Sequence, residues 1–232
     1  MALLAHTSAS VAGSAPISTP AIDTTGATLI VIGMVNVITD LAGLLSDSAG
    51  NTWTLKTAII GTASRFFQFA YCINPTTSGS HVFTLSGGNC FYPGLAVLAF
   101  SNTPAASFVA ISTGADFGAG TTGQPGSITP SNANNLLVTY CVGDLDTSAV
   151  VNGVFHPAAE VMLKTTKLGA CLAYAIQAAA TTQNPTWTVG GNSGGVGTQM
   201  MEFKENGGGG GGSSVGAAAH YYYDMMRRQY GF

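Results

Sequence analysis

Hydrophobic and polar positions alternate in short runs along most of the chain, and the runs are of strand length. Ala27 to Val35 is a continuous apolar run and predicts a strand buried on both faces or central in its sheet. Leu44 to Leu55 predicts a hairpin, with the Asp47–Asn51 segment as its turn and Trp53 and Leu55 alternating on the return strand. Further strands are predicted over Phe66–Ile73, His81–Leu85 and Gly94–Phe100. After a loop rich in Gly, Ala, Thr and Ser, from Asn102 to Gly126, come Asn135–Val142, Ala170–Ile176, Thr186–Val189 and Thr198–Lys204. No segment keeps a helical apolar period for three turns. Lys164–Ala179 comes nearest, but Tyr174 and Ile176 alternate as in a strand.

The strands recur in the same order at an offset of about 103 to 107 residues. Ile22 to Val31 resembles Ile128 to Val138. Ala70-Tyr71 with Ile73 resembles Ala173-Tyr174 with Ile176. Phe83-Thr-Leu85 resembles Trp187-Thr-Val189, and Ala99-Phe100 matches Glu202-Phe203. Each half has few strands, and those are short. The expectation is therefore one all-β, two-sheet antiparallel sandwich with an internal pseudo-repeat, a jelly roll, with an immunoglobulin-like Greek key as the alternative. Residues 1–20 are expected to be an extended arm or edge strand, and 21–205 the sandwich. Residues 206–214, with Gly207–Gly212 and two serines, read as a flexible linker by composition, and 215–232 as a separate tail.

Composition narrows the function. Only 7% of the 232 residues are charged, with a formal net charge of −3. A nucleic-acid binder needs a clustered basic surface, so that partner is not expected. The hydrophobic fraction of 46% sets the chain apart from disordered sequences. The N-terminus lacks the basic and apolar regions of a secretory signal. The longest apolar run, Ala27–Ile38, is broken by Gly33 and Asn36 and falls short of the roughly 20 residues that span a bilayer. No membrane partner is expected, and synthesis is expected in the cytoplasm. Cys72, Cys90, Cys141 and Cys171 contain no C-x-x-C pair and read as buried free thiols, ahead of a disulfide or a metal site.

Candidate chemistry is sparse. Gly191-Asn-Ser-Gly-Gly195 matches G-x-S-x-G, but a hydrolase elbow needs a helix after the serine, and a strand is predicted there; a turn is expected. Asp47–Asn51 lacks the alternating ligands and closing glutamate of a calcium loop and reads as a hairpin turn. Asp144 and Asp146 could share a strand face, though a solvated loop is the plainer reading. Glu160, Glu202 and Glu205 show no close pairing of the kind a glycosidase uses. His6, His81, His156 and His220 have no zinc-ligand spacing. Trp53 and Trp187 could form a sugar-stacking platform but lie in alternating strands, where core packing is commoner. No catalytic residue, cofactor or metal is expected.

The tail is different in kind. Tyr221, Tyr222, Tyr223, Met225, Met226, Arg227, Arg228, Tyr230 and Phe232 are residue types enriched at protein interfaces. Five of the seven Lys and Arg serve the first 226 residues, and the remaining two sit side by side in this tail. These nine residues are the candidate partner-binding set. Packing of the tail onto its own sandwich is the alternative.

The segments Asp23–Val31, Ser46–Trp53, Tyr71 with Asn74-Pro75, Ser80–Thr84 and Leu98–Ser101 carry a resemblance. Gly126–Pro130, Leu136–Val138, Ala173-Tyr174, Asn184–Trp187 and Phe203-Lys204 echo it in the second half. Over residues 20–205 the chain resembles a jelly-roll-like β-sandwich domain common in phage virion proteins. The resemblance implies a non-enzymatic virion protein, a capsid decoration or head-fibre subunit. Its partners would be the major capsid protein or fibre base and copies of itself. The alternative it implies is a tail-fibre adhesin that binds a receptor or host surface glycan. The tail lies outside the resemblance.

Overall fold

The computed structural model of the protein describes residues 1–37, 41, 43–61, 65–87, 90–101, 107–112, 120–144, 149–163, 168–190 and 196–204. The first half contains β1 (Ala2–Ser10), β2 (Ile17–Ser18), β3 (Leu29–Val37), β4 (Leu45–Asp47), β5 (Thr54–Leu55), β6 (Ile59–Gly61), β7 (Arg65–Ile73), β8 (Phe83–Leu85) and β9 (Phe91–Ser101). The second contains β10 (Ser107–Ile111), β11 (Thr122–Gly123), β12 (Leu136–Asp144), β13 (Val150–Val151), β14 (His156–Leu163), β15 (Leu168–Ile176), β16 (Trp187–Thr188) and β17 (Val196–Lys204). The described secondary structure is all strand, and the strand pairs are antiparallel.

The two halves repeat one strand order. In the first, a large sheet runs β1-β9-β3-β7-β5, with β6 also on β7, and a small sheet runs β2-β8-β4. In the second, the large sheet runs β10-β17-β12-β15-β14 and the small sheet β11-β16-β13. β14 takes the place that β5 and β6 share in the first half. The register repeats to the residue. Leu29 pairs with Ile73 and Phe100, and Leu136 pairs with Ile176 and Phe203. The isolated bridge Ile22–His81 has its counterpart in Ile128–Gln183.

The continuous apolar runs follow from burial on both faces. Along β3, Leu29, Val31 and Val35 point into a central core, while Ile30, Ile32 and Met34 face the first small sheet. Along β12, Leu136, Val138, Tyr140 and Val142 join the same central core, while Leu137 and Cys141 face the second small sheet. The two large sheets thus pack face to face, and each carries a small sheet on its outer side. Aromatic contacts stitch the centre: Phe69 meets Tyr140 edge to face at 4.4 Å, and Tyr71 meets Phe203 at 5.3 Å. Gly33 faces this seam because a Cβ there would lie 3.1 Å from Leu172 Cδ2 across it. Lys56 of the first half sits over the Phe108 ring of the second, its Nζ 3.3 Å from the ring centroid, which joins the halves by a cation–π contact.

This arrangement differs from a single two-sheet sandwich. Among the described residues four sheets are present, two to each half. The runs over β4, β8 and β16 show in the sequence as strands, but β2, β11 and β13 have only two residues each, too few to display an alternation, so the small sheets as units do not show. Residues 1–20 are integral to the sheets: β1 is the edge strand of the first large sheet, and Ile17 of β2 is buried in the core. All four cysteines are buried, as expected.

Candidate functional site

A dense polar cluster forms where β4 leaves the first small sheet. Asp47 ends β4, and the chain turns back through Gly50, whose φ of +73° favours glycine. The turn aims backbone amides at the Asp47 carboxylate: Ala49 N–H donates to Oδ1 at 2.8 Å and Asn51 N–H to Oδ2 at 3.2 Å. Asn51 Nδ2 donates to Oδ1 at 3.1 Å, and Trp53 Nε1 donates to Oδ2 at 2.9 Å. Asn51 also ties this turn to the next loop, donating to the Thr76 carbonyl and accepting from the Thr76 amide.

Two distant residues complete the cluster. His81 Nε2 lies 2.9 Å from Asp47 Oδ1, with both side chains fully covered. His81 Nδ1 lies 2.9 Å from Thr24 Oγ1. Thr24 Oγ1 also accepts from the Ser78 amide and lies 3.2 Å from the Ser78 carbonyl oxygen. The His81 ring stacks on Phe83 at 4.3 Å, and Trp53 meets the same Phe83 edge-on at 6.0 Å. Burial pushes the Asp47 carboxyl up. Hydrogen bonds from His81, the Ala49 and Asn51 amides and Trp53 outweigh it and hold the group below the usual carboxylate range.

An acid, an imidazole and a hydroxyl in a row are the parts of a nucleophilic relay. The geometry does not serve that chemistry. Thr24 and His81 are both fully buried, and the Thr24 hydroxyl is engaged by the Ser78 backbone, so no substrate atom can reach it. The cluster instead fastens three segments: the loop before β3, the turn after β4 and the loop before β8. It belongs to the first half alone. In register, Val151 stands where Asp47 stands, opposite Trp187 as Asp47 is opposite Phe83, and Gln183 stands where His81 stands.

Beside this turn, Gly43, Leu45, Asn51, Thr52, Trp53 and Leu55 line an open depression of about 310 Å³. Its wall is stiff, since the indole of Trp53 is held by Asp47 and Phe83. Trp53 is half-buried, whereas Trp187 is fully buried with its Nε1 donating to Thr139 Oγ1 at 3.1 Å. The two tryptophans therefore do not form a shared platform: each closes the outer core of its own half.

The other expected positions scatter. His6, His81 and His156 lie on or beside different strands, and among the described residues no three His, Cys, Asp or Glu side chains come together to hold a metal. Glu202 is buried and accepts from the Ser131 amide and from Asn135 Nδ2, which anchors the turn before β12. Asp146, Gly191–Gly195, Glu205, His220 and the candidate partner set Tyr221, Tyr222, Tyr223, Met225, Met226, Arg227, Arg228, Tyr230 and Phe232 lie outside the described residues. The Asp47–Asn51 segment turns as expected, but the hairpin expected over Leu44–Leu55 does not form, because β4 pairs with β8 in the small sheet and β5 with β7 in the large one, and the parts that His81 and Thr24 play are not expected from the sequence. The signal that could have found them is the contrast between the repeats, Asp47 against Val151 and His81 against Gln183. No family model, curated protein or solved structure matches the chain.

Proposed function

We propose that the chain is a non-enzymatic structural subunit of a phage virion, a capsid decoration or head-fibre protein attached through residues 215–232. The observation that carries the reading is the duplicated body. Each half sets β1-β9-β3-β7 against β2-β8-β4, or the equivalent second set, and this repeated order is what supports reading each half as jelly-roll-like. Jelly rolls build viral capsid and lectin domains. The polar cluster of the body is sealed and works as a fastening, so the body is a scaffold, and its low charge suits packing against copies of itself. The aromatic and basic residues that suit a partner are concentrated beyond the glycines. The subunit is made in the host cytoplasm and resides in the particle. Truncation after Asn206 is the test: the body keeps its unfolding midpoint but loses self-association and incorporation into particles. Normal incorporation of the truncated chain contradicts the proposal.

The depression at Trp53 favours a second reading, a glycan-binding adhesin on a tail fibre. A rigid indole beside Asn51 and Thr52 suits a sugar ring, which stacks on an aromatic face while its hydroxyls hydrogen-bond at the edge. This reading expects binding on a glycan array that falls at least tenfold in Trp53→Ala. Absence of binding by the intact protein removes it.

A further inference from the structure

The chain beyond Lys204 leaves the body beside the depression at Trp53. Phe203, near the end of β17, packs its ring on Tyr71 of β7 at 5.3 Å. Tyr71 is the register partner of Thr54, and Trp53 and Leu55 on either side of Thr54 line the depression. β5 is the edge strand there, so about one strand spacing, roughly 5 Å, separates Tyr71 from the open rim of the sheet. Tyr221 follows Lys204 by 17 residues, and Gly207–Gly212 lie between them. A flexible tether of that length spans about 20–25 Å on average, enough to pass round β5 and reach the depression.

The depression suits an aromatic ring. Leu45 and Leu55 flank an indole that Asp47 and Phe83 hold in place. The volume of about 310 Å³ is at the lower end of small-molecule pockets and gives room for one large side chain. The charges also match. Asp23 is exposed on the loop that Thr24 fastens to the same polar cluster, and Lys56, next to Leu55, is turned away onto the Phe108 ring. The tail carries Arg227 and Arg228 just after its three consecutive tyrosines.

We propose that the free subunit stows its own tail: one ring of Tyr221–Tyr223 stacks on Trp53 in the depression of the same chain, with Arg227 and Arg228 towards Asp23. A short flexible tether gives an effective concentration on the order of 1 mM, so a contact of only about 0.1 mM affinity keeps the tail docked about nine-tenths of the time. The docked ring occupies the wall that the glycan reading gives to a sugar. The inference rests on residues 215–232 being a binding segment, and it names what they hold before another partner takes them.

The test is limited tryptic digestion of the full chain under native conditions, with cleavage after Arg227 or Arg228 followed by mass spectrometry. The intact chain is expected to be cut there about tenfold more slowly than a chain carrying Tyr221→Ser, Tyr222→Ser and Tyr223→Ser, and than Thr52→Arg on the exposed rim of the depression. The rate for the intact chain stays constant over about hundredfold dilution. Acrylamide quenches the fluorescence of the tyrosine variant more strongly, because Trp187 is fully buried and Trp53 is the indole that the departing ring uncovers. Equal rates for the intact chain and either variant, or unchanged quenching, overturns the proposal. A rate that rises on dilution also overturns it, by placing the ring on a second copy. Digestion is read on the free subunit and incorporation on particles, so this inference and the virion reading fail separately.

Discussion

Asp47→Ala is expected to destabilise the protein by about 3–5 kcal/mol, a large fraction of the 5–15 kcal/mol that holds a typical domain together. The reason lies in what the substitution leaves behind. The carboxylate accepts from two backbone amides, the Asn51 side chain, the Trp53 indole and the His81 ring. Its removal strands the fully buried His81 ring together with the part-buried Ala49, Asn51 and Trp53 donors, and a buried donor left without a partner costs about 1–3 kcal/mol before relaxation. Urea unfolding at pH 7 measures the loss, and a loss below about 1 kcal/mol contradicts the fastening role. The pH dependence follows from the depressed carboxyl. A group whose folded value lies below its unfolded value adds stability that is complete above the unfolded value, about 3.9 for Asp. That stability is lost as pH falls through the folded value. The gap between the intact protein and Asp47→Asn is therefore expected to be widest near neutrality and to shrink below about pH 4.

Trp187→Ala is expected to cost a similar amount, about 3–5 kcal/mol, through the cavity it leaves in the outer core of the second half. Trp187 is the largest fully buried side chain, packed with Val151, Phe155, Val189 and Met200. Thr139 Oγ1 keeps its bond to the Gln199 carbonyl, so the loss is one of packing more than of polar satisfaction. The repeat supplies the control. Phe83 fills the matching place in the first half and is fully buried there, so Trp187→Phe is expected to cost less than half as much. Because the large sheets share one core, both halves should unfold in a single transition under urea. Equal losses for Trp187→Phe and Trp187→Ala contradict the equivalence of the two places.

The sequence displays the longer elements because their burial leaves a pattern. Leu29–Val37 and Leu136–Asp144 are apolar throughout most of their length, since each lies between two cores. The repeat is legible because burial holds the same residue types at matching positions: Tyr71 on β7 and Tyr174 on β15, Phe100 opposite Leu29 and Phe203 opposite Leu136. The four-layer stacking is not legible, because a strand buried between two sheets reads the same whatever covers each face. The Asp47 cluster is hidden for another reason. Its members lie far apart in sequence, Thr24 57 residues from His81 and Asp47 34 residues from it. Only the fold brings them within hydrogen-bonding reach, so no spacing announces them.

In the proposed function the duplicated sheets are the scaffold and the segment rich in Tyr, Met and Arg is the attachment. The low charge of the body and the adjacent Arg227-Arg228 pair agree with that division. It also makes the two separable, because β17 completes the second large sheet before the glycines begin. The most direct measurement is a competition in which intact chain and chain truncated after Asn206 are supplied together during particle assembly, and the ratio in purified particles is read by mass spectrometry. The account predicts particles enriched at least tenfold in the intact chain, with both chains unfolding at the same urea midpoint. Equal amounts of the two chains in the particles would contradict it.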